Sequence, residues 1–275
     1  ANNCTAYTDV ELMLKSESID AISISAPTSF HYSLAKLIIP LGIHLLIEKP
    51  IAETIEEATE IMALSTKYNT TVMVGHIERF NPAITALQKE INAGTLGDIT
   101  SLISRRVGLF PSQIKDANVL IDLAVHDIDI FSSILQEEPT HIHSNLGRAL
   151  IDNREDHAEL FLSYGSKSGY IQVNWITPIR IRQLSITGTL GYAELDYMDQ
   201  TLSIYKSDHT HFTDNYGNPS VKFNKTETIS IPIKKEEPLG LEIDHFLTCI
   251  LTNKTPLTCV NTGTIALKNV LLALS

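Results

Sequence analysis

The first 77 residues alternate between short apolar runs and longer stretches with helical spacing. The runs at 21–26, 43–47 and 71–76 have the length and residue types of buried strands. Between them, apolar positions recur with a helical period over 30–41 and 54–68. Strands and helices that alternate in this way form βαβ units, so we predict a parallel, doubly wound sheet whose strands all end at one edge.

Two of the predicted helices begin with a capping sequence. Thr8 and Thr54 are each followed three residues later by a glutamate, Glu11 and Glu57. A threonine hydroxyl and a glutamate at this spacing satisfy the unpaired backbone amides of a helix start. We therefore predict that helices begin at Thr8 and Thr54.

Beyond residue 77, apolar and polar positions alternate over many short runs, as in antiparallel strands with one solvated face. The predicted strands are 99–107, 140–146, 157–164, 169–175, 182–187, 193–197, 202–205 and 226–231. The predicted helices are 81–91, 119–135, 242–251 and 263–274. The polar stretch 207–224 predicts a long surface loop. Residues 78–275 are therefore expected to form an α+β domain built on a mostly antiparallel open sheet.

The first domain, residues 1–77, is predicted to be a Rossmann sheet that is incomplete at its N-terminus. None of the thirteen glycines forms the motif Gly-x-Gly-x-x-Gly, and the first predicted strand already follows a helix. In a complete Rossmann sheet that motif cradles a pyrophosphate. Because the sequence begins with Ala1 and not with methionine, we expect the chain to start inside a longer protein. The alternative is a truncated relative that no longer holds a dinucleotide.

Composition excludes several classes of function. Lys and Arg total 21 against 32 Asp and Glu, a net charge of −11, which repels nucleic acids and anionic membranes on average. The three cysteines show no Cys-x-x-Cys spacing, and no signal-peptide pattern precedes them, so a reducing cytoplasm is the expected compartment. No metal site is predicted, because His209 and His211 alternate on the polar stretch without acidic or thiol partners.

Two groups of residues are candidates for chemistry. Lys49 follows Glu48 at the end of a predicted buried strand, at the edge where open α/β sheets bind ligands. Asp122 and His126 are four residues apart on a predicted helix, so their side chains share a face and suit general acid–base work. The alternatives are a solvated corner at Lys49 and a core-bonded His126, with the neighbouring aspartates simply solvated.

The order and spacing of these motifs resemble one enzyme family, Gfo/Idh/MocA (glucose–fructose oxidoreductase, inositol dehydrogenase and rhizopine catabolism proteins). The motifs are Ser25-Ala26-Pro27-Thr28-Ser29-Phe30-His31, Ile47-Glu48-Lys49-Pro50, Val74-Gly75-His76 with Arg79-Phe80-Asn81-Pro82, and Ile121-Asp122-Leu123-Ala124-Val125-His126-Asp127-Ile128-Asp129. The closing helix Leu241-Glu242-Ile243-Asp244-His245-Phe246-Leu247, followed by Pro256-Leu257-Thr258, is also similar to the family's C-terminal signature. The resemblance covers most of the chain.

The resemblance implies an NAD(P)-dependent oxidoreductase that oxidises a hydroxyl to a ketone by hydride transfer. It implies that Lys49 and His126 are the acid–base pair and that Asp122 orients it; which of the two takes the proton stays open. The implied cofactor contacts are Pro27, Thr28, His31, Glu48, Lys49 and His76. The implied substrate contacts are Arg79, Asn81 and Arg106, whose guanidinium forks suit phosphate or carboxylate. A surface histidine at a helix start is the alternative for His31, and exposure to solvent is the alternative for the arginines.

Within the family, the wording of the motifs around His76 and His126 is most similar to that of enzymes that oxidise the 3-hydroxyl of UDP-N-acetylhexosamines. A free sugar or an inositol is the competing substrate, and a non-catalytic sugar-binding or regulatory module is the competing function. The resemblance also implies a homo-oligomer, a dimer or tetramer, formed through the open sheet. The sequence does not distinguish NAD from NADP, because the residues that read the adenosine ribose would precede Ala1.

Overall fold

A computed structural model describes residues 4–111, 117–206 and 208–274 of the chain. The helices are α1 Val10–Ser16, α2 His31–Ile38, α3 Ile55–Tyr68, α4 Pro82–Asn92, α5 Val125–Leu135, α6 Pro238–Thr252 and α7 Val260–Ala273. Short 3₁₀ turns occupy Thr28–Phe30, Ile39–Leu41 and Ile77–Phe80, and a π-helical turn, Leu120–Ala124, leads into α5. In these ranges no helix is long and apolar enough to cross a bilayer.

The first sheet confirms the predicted parallel arrangement. It consists of β1 Ala21–Ile24, β2 His44–Glu48 and β3 Val72–Gly75, hydrogen-bonded in the order β1-β2-β3. β2 pairs in parallel with both neighbours, so all three strands end at the same edge. The apolar run of β2 forms a strand because its centre is buried: Leu45 and Ile47 are 0% exposed.

The predicted capping sequences had different outcomes. At α3 the capping box is confirmed, since the Glu57 amide donates to Thr54 Oγ1 at 3.2 Å and the Thr54 amide donates to the Glu57 carboxylate at 3.3 Å. At α1 the prediction of Thr8 is wrong by one residue. Asp9 is the N-cap there, and its carboxylate accepts from the Leu12 amide at 3.1 Å. An aspartate caps a helix at least as well as a threonine does.

The second sheet has eight strands, in the order β13-β10-β9-β8-β4-β7-β6-β5. Its strands are β4 Ile99–Leu109, β5 His141–Gly147, β6 His157–Tyr164, β7 Lys167–Asn174, β8 Ile176–Gly188, β9 Gly191–Asp196, β10 Thr201–Lys206 and β13 Glu227–Ser230. Every pair is antiparallel except β4 with β7. The mostly antiparallel open sheet is therefore confirmed.

The prediction of a loop over 207–224 is wrong for its described part. A separate hairpin occupies it, with β11 His209–Thr213 paired antiparallel to β12 Pro219–Phe223. Both strands are exposed along nearly their whole length, so they lack the apolar alternation that identifies a strand in a sequence. Ser207, the first residue of the predicted loop, lies outside the described residues.

One hydrophobic core extends through both sheets. Its buried members include Ile47 of β2, Phe131 of α5 and Val270 of α7. Helix α7 packs against α3, β3 and α5, and Met73 of β3 forms an isolated bridge with Cys259 just before α7. The end of the chain therefore returns to the first sheet, although the predicted domain boundary after residue 77 places it in the second domain. That boundary stays a prediction.

Two glycines provide a matched test of this packing. A Cβ at Gly188, at the end of β8, would overlap the backbone carbonyl oxygen of Leu96, whereas a Cβ at Gly240 in α6 would meet no heavy atom within 4 Å. We expect Gly188→Ala to lower the free energy of unfolding by about 1–3 kcal/mol, because a backbone segment must move. Gly240→Ala should raise it by about 0.5–1 kcal/mol through helix propensity. Chemical denaturation measures both, and equal stability of the two variants would contradict the packing described.

Candidate active site

Lys49 connects the edge of the first sheet to the turn that precedes α5. β2 ends at Glu48, and the Lys49 ammonium donates to the backbone oxygen of Asp122 at 2.7 Å and to its Oδ1 at 3.1 Å. The two side chains are 17% and 15% exposed. This is therefore a partly buried ion pair with a fixed geometry, and the alternative of a solvated corner at Lys49 is wrong.

Asp122 lies in the π-helical turn, where the backbone hydrogen bonds join residues five apart instead of four, and its side chain contacts Lys49. Asp122 Oδ2 accepts from the indole nitrogen of Trp175 at 3.3 Å, and Oδ1 accepts from Lys49. Both carboxylate oxygens thus contact residues other than His126. The expectation of an Asp122–His126 pair is not met in the described contacts.

His126 is a neutral imidazole with an unusual environment. Its Nδ1 is buried and has no hydrogen-bond partner among the described residues. Burial, followed by the positive charges of Lys49 and Arg106, lowers the pKa of His126 well below its ordinary value of 6.5. The expectation that a neighbouring carboxylate raises the basicity of this ring is therefore wrong.

Lys49, Asp122 and His126 line one cavity of about 560 Å³ between the two sheets. Its ionisable lining residues are Glu48, Lys49, Glu78, Arg106, Asp122, His126, Arg180 and Arg182. The position opposite Glu48 in β3 is Gly75, where a Cβ would lie only 3.1 Å from the Glu48 carboxylate. The missing side chain leaves room for Glu48 at the strand edge.

Arg106 is held by carboxylates at the inner wall of this cavity. It contacts Asp127 through Nε at 2.9 Å and Nη2 at 3.1 Å, and Glu78 through Nη1 at 2.6 Å. The guanidinium also lies over the ring of Tyr197, with its carbon 4.9 Å from the ring centroid. Arg106 is 3% exposed and Asp127 is fully buried. The alternative of a solvent-exposed Arg106 is therefore wrong, because this side chain is buried and paired with two carboxylates. The alternative of a solvated Asp127 is wrong for the same reason.

Arg79 and Asn81 do not line the cavity. Arg79 Nε donates to Asp129 Oδ2 at 2.7 Å, and this aspartate is 4% exposed. The Asn81 side chain caps α4 by accepting from the Ala83 amide at 3.0 Å, and it donates to the carbonyl of Tyr197 at 3.0 Å. Their polar groups are therefore used in packing α4 and α5 against the rest of the fold, and the structure gives no support to their prediction as substrate contacts.

The predicted cofactor residues divide into two groups. Pro27 and Thr28 lie at the accessible end of β1, and Glu48 and Lys49 lie at the end of β2. His31, in contrast, is 1% exposed, and its two ring nitrogens lie 2.9 Å from the Pro50 carbonyl and 2.8 Å from the Ala26 carbonyl.

The side chains of His31 and His76 are both buried. The His31 ring joins the backbone segments that follow β1 and β2, so the alternative of a surface histidine is wrong. His76 is 1% exposed; burial lowers its pKa, opposed in part by the Asp129 carboxylate. Neither side chain lines the cavity.

Trp175, Arg180 and Arg182 line the cavity but were not among the predicted site residues. Trp175 is the only tryptophan of the chain, and the sequence alone could have marked it as a candidate site residue for that reason. The two arginines have no such signal, because an arginine in a strand is usually exposed.

A nicotinamide cofactor fits this edge in part. The strand ends that meet here carry Glu48 and Lys49, whose polar groups can hold the nicotinamide and its ribose. The glycine motif that would hold the pyrophosphate is absent from the 275 residues. No group of three His, Cys, Asp or Glu side chains suited to a metal ion occurs in the part of the chain that the structure describes.

The fold and the cavity define a class of protein, the α/β enzymes that work at the carboxyl edge of a Rossmann-type sheet. Comparison with known families makes this specific. Residues 1–76 match the family model described as an oxidoreductase family with an NAD-binding Rossmann fold, and residues 84–194 match the GFO/IDH/MocA C-terminal domain. The chain therefore belongs to the Gfo/Idh/MocA family of NAD(P)-dependent oxidoreductases, as the sequence motifs predict.

Individual relatives have moderate sequence identity to this chain. The chain is 28% identical over 257 residues to UDP-N-acetylglucosamine 3-dehydrogenase from Acidithiobacillus ferrooxidans, a match that covers 93% of this chain and 77% of the relative. A crystal form of that enzyme superposes with a TM-score of 0.85 at 25% identity, over 98% of this chain and 82% of that one. The chain is also 24% identical to scyllo-inositol 2-dehydrogenase (NAD⁺) from Bacillus subtilis, over 89% of this chain and 71% of the relative.

The neutral state of His126 can be tested directly. We expect the ring to titrate below about 6.5 in NMR spectra, and Lys49→Met to move its pKa upwards by removing the cation that lowers it most. Because the unfolded chain binds this proton more tightly, the group lowers the free energy of unfolding as the pH falls below about 6.5. Lys15→Met, a substitution on the exposed face of α1, is the control and should leave the His126 pKa unchanged. A midpoint at or above 6.5 would contradict the assignment.

Proposed function

We propose that this protein oxidises a hydroxyl of a nucleotide sugar to a ketone, with a UDP-N-acetylhexosamine as substrate and its 3-hydroxyl as the reacting group. The observation that carries the proposal is the Lys49 ammonium held by Asp122 in a cavity that also contains the neutral His126 ring. The similarity to UDP-N-acetylglucosamine 3-dehydrogenase along nearly the whole chain supports this substrate class. The family comparison supplies the cofactor class, NAD or NADP.

His126 is the base in this proposal, and Lys49 the electrostatic partner. A neutral imidazole can accept the hydroxyl proton as the alcohol is oxidised, whereas an ammonium has no lone pair to accept one. The Lys49 ammonium stabilises the negative charge that develops on the oxygen. When bound, NAD(P) supplies the hydride acceptor.

Asp122 is a positioning residue for Lys49. Its carboxylate and its backbone oxygen both accept from the ammonium, so two of the three Lys49 donors are fixed and the third is left for a ligand. Trp175 in turn fixes the second oxygen of this carboxylate. The ammonium therefore points into the cavity before any substrate binds, which is the kind of preorganisation that electrostatic catalysis requires.

The cavity has the size expected for a small-molecule substrate. At about 560 Å³ it falls within the range of ordinary ligand pockets, roughly 300–1,000 Å³. A free sugar or an inositol is the second candidate substrate, supported by the similarity to scyllo-inositol 2-dehydrogenase over most of the chain. The two candidates differ in charge, because a nucleotide sugar carries a diphosphate and an inositol does not.

The function is tested by following nicotinamide reduction with UDP-N-acetylglucosamine, UDP-N-acetylgalactosamine, N-acetylglucosamine and scyllo-inositol, each with NAD and with NADP. We expect turnover with a UDP-sugar at the highest kcat/KM, and Lys49→Met to lower its kcat by about 10²–10⁴-fold. Lys15→Met should retain wild-type kcat, since its side chain is 75% exposed on α1. Turnover of scyllo-inositol alone would reject the nucleotide sugar, and a Lys49→Met variant with wild-type kcat would reject the site.

We also propose that two copies of the chain pack through the outer face of the second sheet. Ile103, Tyr170 and Phe161 are in register across β4, β7 and β6, and their side chains are 44%, 36% and 50% exposed. Three large apolar side chains in a row on an open sheet favour burial against another surface. Because the three residues are neighbours in register on the exposed side of the sheet, a second copy related by a twofold axis can cover them with the same residues.

Substitution of one residue in this row tests the association. We expect Phe161→Glu to shift the protein from oligomer to monomer in analytical ultracentrifugation, because a carboxylate would be buried at the interface. Tyr216→Glu is the matched control, since Tyr216 is 90% exposed on the hairpin of β11 and β12, and it should leave the molecular mass unchanged. A wild-type protein that sediments as a monomer would contradict the proposal.

A further inference from the structure

Two arginines on β8 face the cavity without carboxylate partners. Arg180 and Arg182 are two residues apart in a strand, so their side chains lie on the same face of the sheet, and both line the cavity. Arg182 Nη1 donates to the carbonyls of Val107 at 2.9 Å and Ile181 at 3.1 Å. Arg180 has no hydrogen bond or ion pair with a described residue, although its stem packs beside Gly108.

The other cations of the cavity are neutralised. Arg106, which is directly opposite Arg182 in the register of β4 and β8, contacts Asp127 and Glu78. Lys49 contacts Asp122. Among the described residues, Arg180 and Arg182 are the lining cations that form no ion pair, and Glu48 is a lining carboxylate that forms none. The lining therefore keeps two guanidinium groups available to an anion.

Clustering these cations has an electrostatic cost. Burial, then the charges of Arg106 and Arg180, lowers the pKa of Arg182 to about 10. A bound anion would reverse this effect, because an opposite charge nearby favours the ionised guanidinium. A guanidinium fork also matches a phosphate in shape, with two parallel N–H donors for two oxygens.

We infer that Arg180 and Arg182 form a subsite that binds the diphosphate of the substrate. This rests on the proposed function, and it gives the second sheet a specific role in that function: it selects an anionic sugar derivative over a neutral one. The subsite shares the cavity with the reacting groups, since the charges of both Lys49 and Arg182 act on the His126 ring. A diphosphate at β8 would therefore leave the sugar within the same enclosure as Lys49 and His126.

The dinucleotide cofactor also contains a diphosphate, so the two sources must be separated by experiment. The arginines belong to the second sheet, whereas a dinucleotide binds along the strand edge of the first. The position of the arginines therefore favours the substrate, and not the cofactor, as the source of the diphosphate. Binding of UDP and binding of NAD, each measured alone by calorimetry, distinguish them without requiring turnover.

Arg180→Gln is the principal variant, because Arg180 is exposed and its loss removes no described hydrogen bond. We expect it to weaken UDP binding by about ten- to hundredfold, as for loss of a charge-assisted hydrogen bond, and to leave the Kd of NAD unchanged. Arg180→Lys should recover part of the affinity. Higher salt should weaken UDP binding by the wild type more than by Arg180→Gln.

Arg148→Gln removes the same charge outside the cavity, where Arg148 pairs with Glu155, and it should bind UDP like the wild type. Thermal melting of each variant verifies that it is folded. Unchanged UDP affinity in Arg180→Gln would overturn the subsite, and an equal loss of NAD affinity would assign the arginines to the cofactor and overturn it too. If UDP binding depends on Arg180 while no UDP-sugar is oxidised, the subsite stands and the proposed function fails.

Discussion

The buried charge of Arg106 is the constraint on which the two-sheet arrangement depends. A guanidinium that is 3% exposed must be paired, and the two carboxylates that pair with it come from different parts of the fold. Asp127 belongs to α5, Glu78 to the turn after β3, and Arg106 to β4. Loss of one partner of such a buried pair typically costs about 3–5 kcal/mol, because the remaining charge is left without compensation. The edge of the first sheet, the second sheet and α5 are therefore held in one geometry, and the cavity lies between them.

The same arrangement sets the electrostatics of the candidate site. Arg106 and Lys49 approach the His126 ring from different elements, and with burial they keep it neutral. Asp122 reduces the cost of placing an ammonium beside that ring, since it is hydrogen-bonded to Lys49 and not to the imidazole. The site thus separates two functions that a carboxylate–histidine pair would combine: Lys49 carries the positive charge, and His126 keeps an unprotonated nitrogen.

Local patterns predicted the parts of the fold that local sequence determines. The strand ends at Glu48 and Gly75 follow from apolar runs that stop at polar residues, and the capping box at Thr54 follows from a spacing of three. The hairpin of β11 and β12 was not predicted because its strands are solvated on both faces. The contacts of Asp122 were not predicted because its partners Lys49 and Trp175 are 73 and 53 residues away in the sequence. The ion pairs of Arg79 and Arg106 depend on partners 50 and 21 residues away in the sequence, which no local pattern indicates.

The two sheets carry different parts of the candidate site, so family membership and substrate class are separate questions. The motif residues Glu48 and Lys49 lie at the end of β2, so resemblance in these motifs reports on the reaction. Arg180 and Arg182 lie on β8, within the match to the C-terminal family domain but outside the sequence motifs named for the family, and neither forms an ion pair with a described carboxylate. Arg182 lies directly opposite the buried Arg106, so a bound anion would offset the repulsion between the two guanidinium groups. The charges on β8 therefore bear on the proposed substrate class independently of the strand-end motifs that indicate the reaction.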